Sequence, residues 1–274
     1  MKIKFLGTAA AEGFPAVFCN CDYCNALRKT GKGFRTRSQT IIDGKLLIDL
    51  PADTYMHFLQ NGIKGDEIES LIITHIHADH YYPMELNMRG GGFSKNMKNQ
   101  VLNLLIPSDG VNQLERLYPS SKTTLNSSVC EPYKTVKLND YNITPLPARH
   151  GWGNIVPFIY LINKDGKNFL YGHDTGYFYP EVISYLEENK ILLDAVAFDC
   201  CYGVLPIDDN HGHMGFENIF RLIEELKNKG IITEKTKKIA NHFSHNCNPT
   251  QENCENYVKG RDILITYDGF EIEI

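Results

Sequence analysis

Histidine accounts for only 10 of 274 residues, yet three histidines and an aspartate fall within six positions in Thr74-His75-Ile76-His77-Ala78-Asp79-His80. Imidazole and carboxylate together suit zinc, iron or manganese. The apolar run Leu71-Ile72-Ile73 just before them reads as a buried strand. It would deliver the four side chains to a strand's C-terminal end, where α/β folds place their chemistry. Alternate side chains of an extended segment share a face, so His75 and His77 can grip one ion. A turn after His77 would aim Asp79 and His80 at a second point a few ångströms away. Two ions about 3.5–4 Å apart can hold a bridging hydroxide and clamp a phosphoryl group.

Further ligands must come from elsewhere, and three candidates stand at strand ends. His150 follows Ile143-Thr144-Pro145-Leu146-Pro147, Asp174 follows Leu170-Tyr171-Gly172-His173, and His242 follows Ile239-Ala240-Asn241. His173, next to Asp174, would point to the opposite face of its strand. A separate cluster, Cys19-Asn20-Cys21-Asp22-Tyr23-Cys24, crowds three thiols too closely for separate disulfides. It reads instead as a thiolate site for a structural zinc that needs a fourth ligand. Cys130, Cys200, Cys201 and Cys254 read as ordinary small buried or half-buried residues. His211 and His213, on a loop before a helix, could protonate a leaving alkoxide, and Arg89 or Arg149 could hold phosphate.

The elements that must carry these residues are mostly short β runs. They are expected at 3–6, 39–42, 46–49, 71–74, 102–106, 135–138, 143–146, 158–162, 169–172, 195–198 and 238–240. Helical patterns fall at 52–59, 111–118, 180–189, 216–227 and 251–258. Asp268-Gly269, between the runs 263–267 and 270–274, predicts a closing hairpin. Without repeats, low-complexity stretches or linkers, a single domain over 1–274 is expected, built of layered sheets with helices outside.

Composition narrows the function classes. A net charge of −5 without a long basic run argues against nucleic acid as a partner. The chain opens into a strand-like Lys2-Ile3-Lys4-Phe5-Leu6-Gly7 without a signal-peptide core. No apolar stretch approaches the roughly 20 residues that span a bilayer. A cytoplasmic protein without a membrane partner is expected, and a homodimer is compatible with it.

Taken together, the HxHxDH run, His150, Asp174 and His242 resemble the metallo-β-lactamase superfamily. The resemblance covers essentially the whole chain and implies an α/β (α+β) fold, an αββα four-layer sandwich. It implies His75, His77 and His150 on one metal, Asp79, His80 and His242 on the other, and Asp174 bridging the two. Asp49, ending Leu46-Leu47-Ile48, matches an acid that supports the site in this superfamily, and reads equally as a turn acid. Cys19, Cys21 and Cys24 are similar to the cluster of the phosphoribosyl cyclic phosphate phosphodiesterase branch. There a histidine three residues after the last active-site histidine completes the set; His245 has that spacing from His242, with Cys247 the alternative. The same branch has a catalytic histidine where His213 stands. The Gly-Phe-Pro and Cys-x-Cys start also resembles the maturation protein associated with pyrroloquinoline quinone, a branch that departs from the full ligand set. All seven ligands are present here, which implies a hydrolase. The expected protein holds two divalent ions (Zn or Mn) and one structural Zn, and cleaves a small phosphodiester, cyclic ones included, with Asp79 and His213 as catalytic residues. Alternatives are hydrolysis of another ester, thioester or lactone, and a non-catalytic metal-binding protein. After His80 the chain runs Tyr81-Tyr82-Pro83, without the superfamily's usual glycine, so the loop from Met84 to Phe93 is expected to border the substrate differently.

Overall fold

Alternation along the strands is what builds the layers, because successive side chains of a strand face opposite ways. Phe169 and Tyr171 enter the core between two sheets, together with Ala195, Ala197 and Ile239 from one sheet and Ile3, Phe5, Ile48 and Ile72 from the other. Their neighbours Leu170, Val196 and Phe198 face outward into a second cluster beneath helices. Leu47, Leu71 and Leu104 do the same on the far side of the other sheet. The computed structural model describes residues 1–90, 92–117, 123–151 and 155–274.

The first sheet contains β1 (Lys2–Gly7), β2 (Gln39–Ile42), β3 (Leu46–Ile48), β4 (Ser70–Ile72), β5 (Leu102–Ile106), β6 (Leu125–Val129) and β14 (Phe270–Glu273). Its order is β14-β1-β2-β3-β4-β5-β6. The second contains β7 (Val136–Leu138), β8 (Tyr141–Pro147), β9 (Phe158–Lys164), β10 (Lys167–Gly172), β11 (Ala195–Asp199), β12 (Lys237–Asn241) and β13 (Leu264–Ile265), in the order β13-β12-β11-β10-β9-β8-β7. The helices are α1 (Asp22–Thr30), α2 (Thr54–Asn61), α3 (Met84–Asn87), α4 (Ser108–Leu117), α5 (Pro180–Glu188), α6 (Phe216–Asn228) and α7 (Gln251–Tyr257). Residues of α5 and α6 cover the outer face of the second sheet, and residues of α2 and α4 that of the first, which gives the αββα sandwich. Among the described residues no helix is long and apolar enough to cross a membrane.

Three local expectations change. The closing hairpin does not form: β13 pairs in parallel with β12, whereas β14 pairs antiparallel with β1 in the other sheet. Asp268-Gly269 therefore carries the chain from one sheet to the other, and Asp268 accepts bonds from Thr8 Oγ1 (2.7 Å) and Thr36 N (2.7 Å) instead of turning a two-strand ribbon. α1 grows directly out of the cysteine cluster, with Cys21 as N-cap accepting from Cys24 N, a capping role usually filled by oxygen. β6 has no apolar pattern to announce it, since it is an edge strand with mostly exposed side chains. Tyr118, where a helix was expected to end, and Gly91 lie outside the described residues.

β3 and β4 run parallel in one sheet, as do β10, β11 and β12 in the other, so the segments leaving their C-terminal ends can meet at one edge of the sandwich. They meet tightly at Gly176, which donates its N–H to Arg149 O (2.9 Å). A Cβ there would collide with the carbonyl oxygen of His211 and lie 3.0 Å from Arg149 Cδ. Gly176→Ala is expected to destabilise the protein by about 1–3 kcal/mol, since the obstructing atom is backbone. Urea unfolding checks this, and an unchanged midpoint would show that the contact does not hold the loops together.

Candidate metal centre

Strand β4 ends at Ile72, and the chain turns back at His77, whose carbonyl accepts from His80 N (3.0 Å) and Tyr81 N (2.8 Å). The turn splits the motif into two pairs. His75 Nε2 and His77 Nδ1 lie 2.8 Å apart, and His150 Nε2 lies 3.0 Å from the same His77 nitrogen. Asp174 Oδ2 is 3.6 Å from His75 Nε2 and 3.5 Å from His150 Nε2. Ligands about 2.0–2.1 Å from a tetrahedral ion lie roughly 3.3 Å from each other, so these four atoms are spaced to hold one. Asp79, His80, Asp174 and His242 form a second such group. Within it His80 Nε2 is 3.1 Å from both Asp79 Oδ2 and Asp174 Oδ2, and His242 Nδ1 is 2.7 Å from Asp174 Oδ1. Asp174 belongs to both groups.

Hydrogen bonds on the far side of the rings decide which nitrogen is bare. His80 Nδ1 donates to Asp49 Oδ2 (2.7 Å) and His150 Nδ1 donates to Gly212 O (3.0 Å), leaving each Nε2 lone pair facing the cleft. Asp49 is itself held by Thr74 N (2.8 Å) and Thr74 Oγ1 (2.9 Å), so its supporting contact is made and it is not a free turn acid. Asp49 and His242 both sit at φ +64, a left-handed conformation that costs of order 1–3 kcal/mol for such residues and clusters at functional sites. His80 Nε2, both ring nitrogens of His242 and Asp174 Oδ1 are buried without a hydrogen-bond partner. Each such atom costs about 1–3 kcal/mol if it stays unpaired. A cation between them removes that cost, and the donor set therefore fits two divalent ions.

The cleft above these atoms is small, about 220 Å³, and is lined by Glu12, Cys201, His211 and His213 besides the ligands. Asp199, at the end of β11, accepts from His213 Nδ1 (3.0 Å), Cys201 N (3.0 Å) and Met214 N (3.1 Å). Burial draws the His213 pKa down, but the Asp199 and Asp174 carboxylates outweigh it and leave the ring above the ordinary imidazole value. His211 Nε2 instead lies 3.4 Å from the Tyr202 hydroxyl. Asp199 was missed in the sequence, although it ends an apolar run as Asp49 and Asp174 do. Cys201 and Glu12 carried no such signal.

Neither arginine reaches the cleft. Arg89 lines a separate, largely apolar cavity of about 570 Å³ outside the first sheet and donates to Asn99 O (2.6 Å). Among the described residues of the loop after Pro83, Glu85, Leu86, Met88 and Arg89 line that cavity, and none lines the metal cleft. Arg149 donates Nε–H to Tyr177 O (3.0 Å) and lies over the Tyr179 ring, 4.4 Å from its centroid. Neither is among the residues that line the metal cleft. His173 is fully buried beside Tyr171 and Asn241, outside either ligand group.

The cysteine cluster closes as four atoms, Cys19, Cys21 and Cys24 with His245. Cys24 Sγ is 3.7 Å from His245 Nδ1. Cys247 faces away, donating to Ser244 O (3.0 Å) and abutting Gly203. The Cys24 N–H, with His245, lowers the Cys21 thiol to about 6, as a ligating thiolate requires. Glu12 Oε1 accepts from Ser244 Oγ (2.5 Å) and His245 N (3.2 Å), which ties the cluster to the loop that follows His242.

Residues 47–243, more than two thirds of the chain, match the family model described as the beta-lactamase superfamily domain. The chain belongs to that superfamily. Over its full length it is 25% identical to coenzyme PQQ synthesis protein B of Acinetobacter baylyi, covering all of that protein. Among solved structures, a diphosphatase from the PhnP family superposes with a TM-score of 0.75 at 20% identity, covering 100% of this chain and 97% of the other. Zn²⁺-bound PqqB from Methylobacterium extorquens superposes with a TM-score of 0.76 at 16% identity, with both chains fully covered. At these identities the two superpositions speak for the metallo-β-lactamase fold alone.

Two predictions follow from these contacts. Cys21→Ala is expected to bind one metal ion fewer per chain and to melt at lower temperature; full metal stoichiometry with unchanged melting would refute a structural ion there. The second concerns His57, buried beneath Asp49: it donates Nδ1–H to Gln39 Oε1 (2.7 Å), and Gln39 Nε2 donates to Asp49 O (3.0 Å). Burial lowers its pKa to about 4 in spite of the Asp53 charge. The unfolded chain, with histidine near 6.5, then binds more protons between those values. The stability due to neutral His57 is complete above about pH 6.5 and falls by about 3 kcal/mol as pH drops to 4. Denaturant unfolding across pH 4–7 should lose that part of the slope in His57→Gln, and an identical slope would count against it.

Proposed function

We propose that this protein is a metal-dependent phosphodiesterase with a dinuclear site, cleaving a small phosphodiester, cyclic ones included. The carrying observation is that Asp174 is shared by two ligand groups, one with His75, His77 and His150, the other with Asp79, His80 and His242. Two bound divalent ions, Zn or Mn, would supply charge neutralisation at phosphorus and a water acidic enough to attack it. A third ion, zinc, would brace Cys19, Cys21, Cys24 and His245.

The chain's own residues do the rest. Asp79 and Asp174 set the charge of the cleft and orient what binds there. Asp199 holds the His213 Nδ1–H, so the Nε2 edge is available to carry a proton to the departing alkoxide. Neither lysine nor arginine is found among the described residues lining the cleft, so phosphate charge would be met by the ions and not by side chains. A volume near 220 Å³ suits a single sugar phosphate better than a polymer.

A second reading, a metal-binding protein without hydrolytic turnover, is favoured by the full-length similarity to coenzyme PQQ synthesis protein B. Zn- and Mn-reconstituted protein assayed with bis-p-nitrophenyl phosphate and cyclic ribose phosphates separates the two, and absence of metal-dependent turnover on every diester favours the second. Where turnover is seen, His213→Gln should lower kcat about 10²–10⁴-fold on alkyl diesters, whose leaving group needs a proton. It should cost far less on the p-nitrophenyl diester, whose leaving group does not. Equal losses on both would remove His213 from the acid role.

A further inference from the structure

One soft atom reaches the metal cleft without belonging to either dinuclear ligand group. Cys201 lies two residues beyond Asp199; its N–H donates to Asp199 Oδ1 (3.0 Å) and its carbonyl accepts from Ser244 N (3.2 Å). Its backbone is thus held from both sides while its side chain lines the cleft. Cys201 Sγ, one ring nitrogen of His213 and one of His242 lie within 4.8 Å of one another. The two rings are near-parallel, 15° apart with centroids separated by 5.8 Å. His242 is only 1% exposed; its Nδ1 lies 2.7 Å from Asp174 Oδ1 and 3.3 Å from Asp199 Oδ2, and the ring is common to the second metal group and to the trio with Cys201.

We propose that Cys201, His213 and His242 form a further, sulfur-bearing cation position beside the dinuclear site, which takes zinc-class ions and rejects Mn²⁺. One sulfur and two imidazoles are a borderline-soft set, the type chosen by Zn²⁺, Co²⁺ and Cd²⁺ over harder ions. In such a site neighbouring N and S ligand atoms sit roughly 3.5 Å apart, inside the 4.8 Å that bounds the separation of these three. Binding releases the thiol proton of Cys201 to solvent, and leaves thiolate sulfur and neutral imidazole bound to the cation. An ion here also holds the His213 ring, which would otherwise carry a proton to the leaving group. The cation position rests on these side chains alone; its inhibitory consequence rests on the hydrolase reading above.

The test titrates protein carrying zinc in the cysteine cluster and two ions in the dinuclear site with further Co²⁺, followed by near-ultraviolet absorption. Wild type should gain a sulfur-to-cobalt band that Cys201→Ser and Cys201→Ala lack; the cysteine cluster is common to all three and cancels in the difference. A band of equal size in all three overturns the position. Alkylation of Cys201 in wild type, read by peptide mass, reports on the same site without a variant. Excess Zn²⁺ should slow it at least tenfold and excess Mn²⁺ should not, whereas equal protection by both ions overturns the selectivity. In the activity arm, excess Zn²⁺ should slow wild-type turnover at least tenfold and leave Cys201→Ser unslowed; equal inhibition overturns the capture of His213. Absence of turnover in every protein refutes the hydrolase reading, while the cobalt and alkylation results still decide the cation position.

Discussion

Asp174 is a carboxylate buried among imidazole rings, and the rest of the structure is arranged around that burial. A carboxylate carried into a protein interior costs several kcal/mol unless positive charge meets it. Here His75, His80 and His150 approach Oδ2, and His213 and His242 approach Oδ1. Burial alone would push the Asp174 pKa up, but these rings hold it well below the usual carboxylate range. The rings come from both sheets, so the two halves of the sandwich must dock in one register for the carboxylate to be satisfied. Two backbone positions absorb the strain of that convergence, Asp49 on the first sheet and His242 on the second.

The cleft is braced from behind on each side. On the first sheet a buried chain of contacts runs from Asp268 through Thr36 and His57 to Gln39, which holds the Asp49 carbonyl. On the second, the Cys19–Cys24 loop and His245 stand behind the segment leaving β12, with Glu12 binding Ser244 and His245. Arg35, almost fully buried, joins Thr8, Pro249 and Thr266 across the same region. Hydrogen bonds from side chains, to backbone and to one another, therefore tie together the loops that carry ligands. Such buried networks specify one arrangement because a partly satisfied one is costly.

Much of this was legible in the residues. Period-two alternation marks the strands that face both the central core and an outer helical layer, so β1, β2, β5 and β10 could be read from their apolar runs. The ligand motif is legible because metal chemistry restricts residue type and spacing far more tightly than packing does. By contrast β6 is a polar edge strand and α1 begins on a cysteine cap, and neither leaves a periodic trace. The Asp-Gly turn showed that the chain reverses after β13, yet a local turn signal is silent about which sheet receives the next strand.

The sequence by itself determined the metal-binding character of the protein and its superfamily, because ligand atoms must be of particular types and a short motif supplies most of them. Only the tertiary structure decided which acids serve the site, turning Asp49 and Asp199 into partners of His80 and His213 and leaving Arg89 and Arg149 outside it. Only it brought Cys201 to the cleft. The physical reason is distance along the chain. A contact between residues from different strands and sheets depends on docking and side-chain direction, and neither is written in the order of neighbouring residues. The HxHxDH run states what chemistry is available, and the convergence of strand ends from two sheets states where it happens.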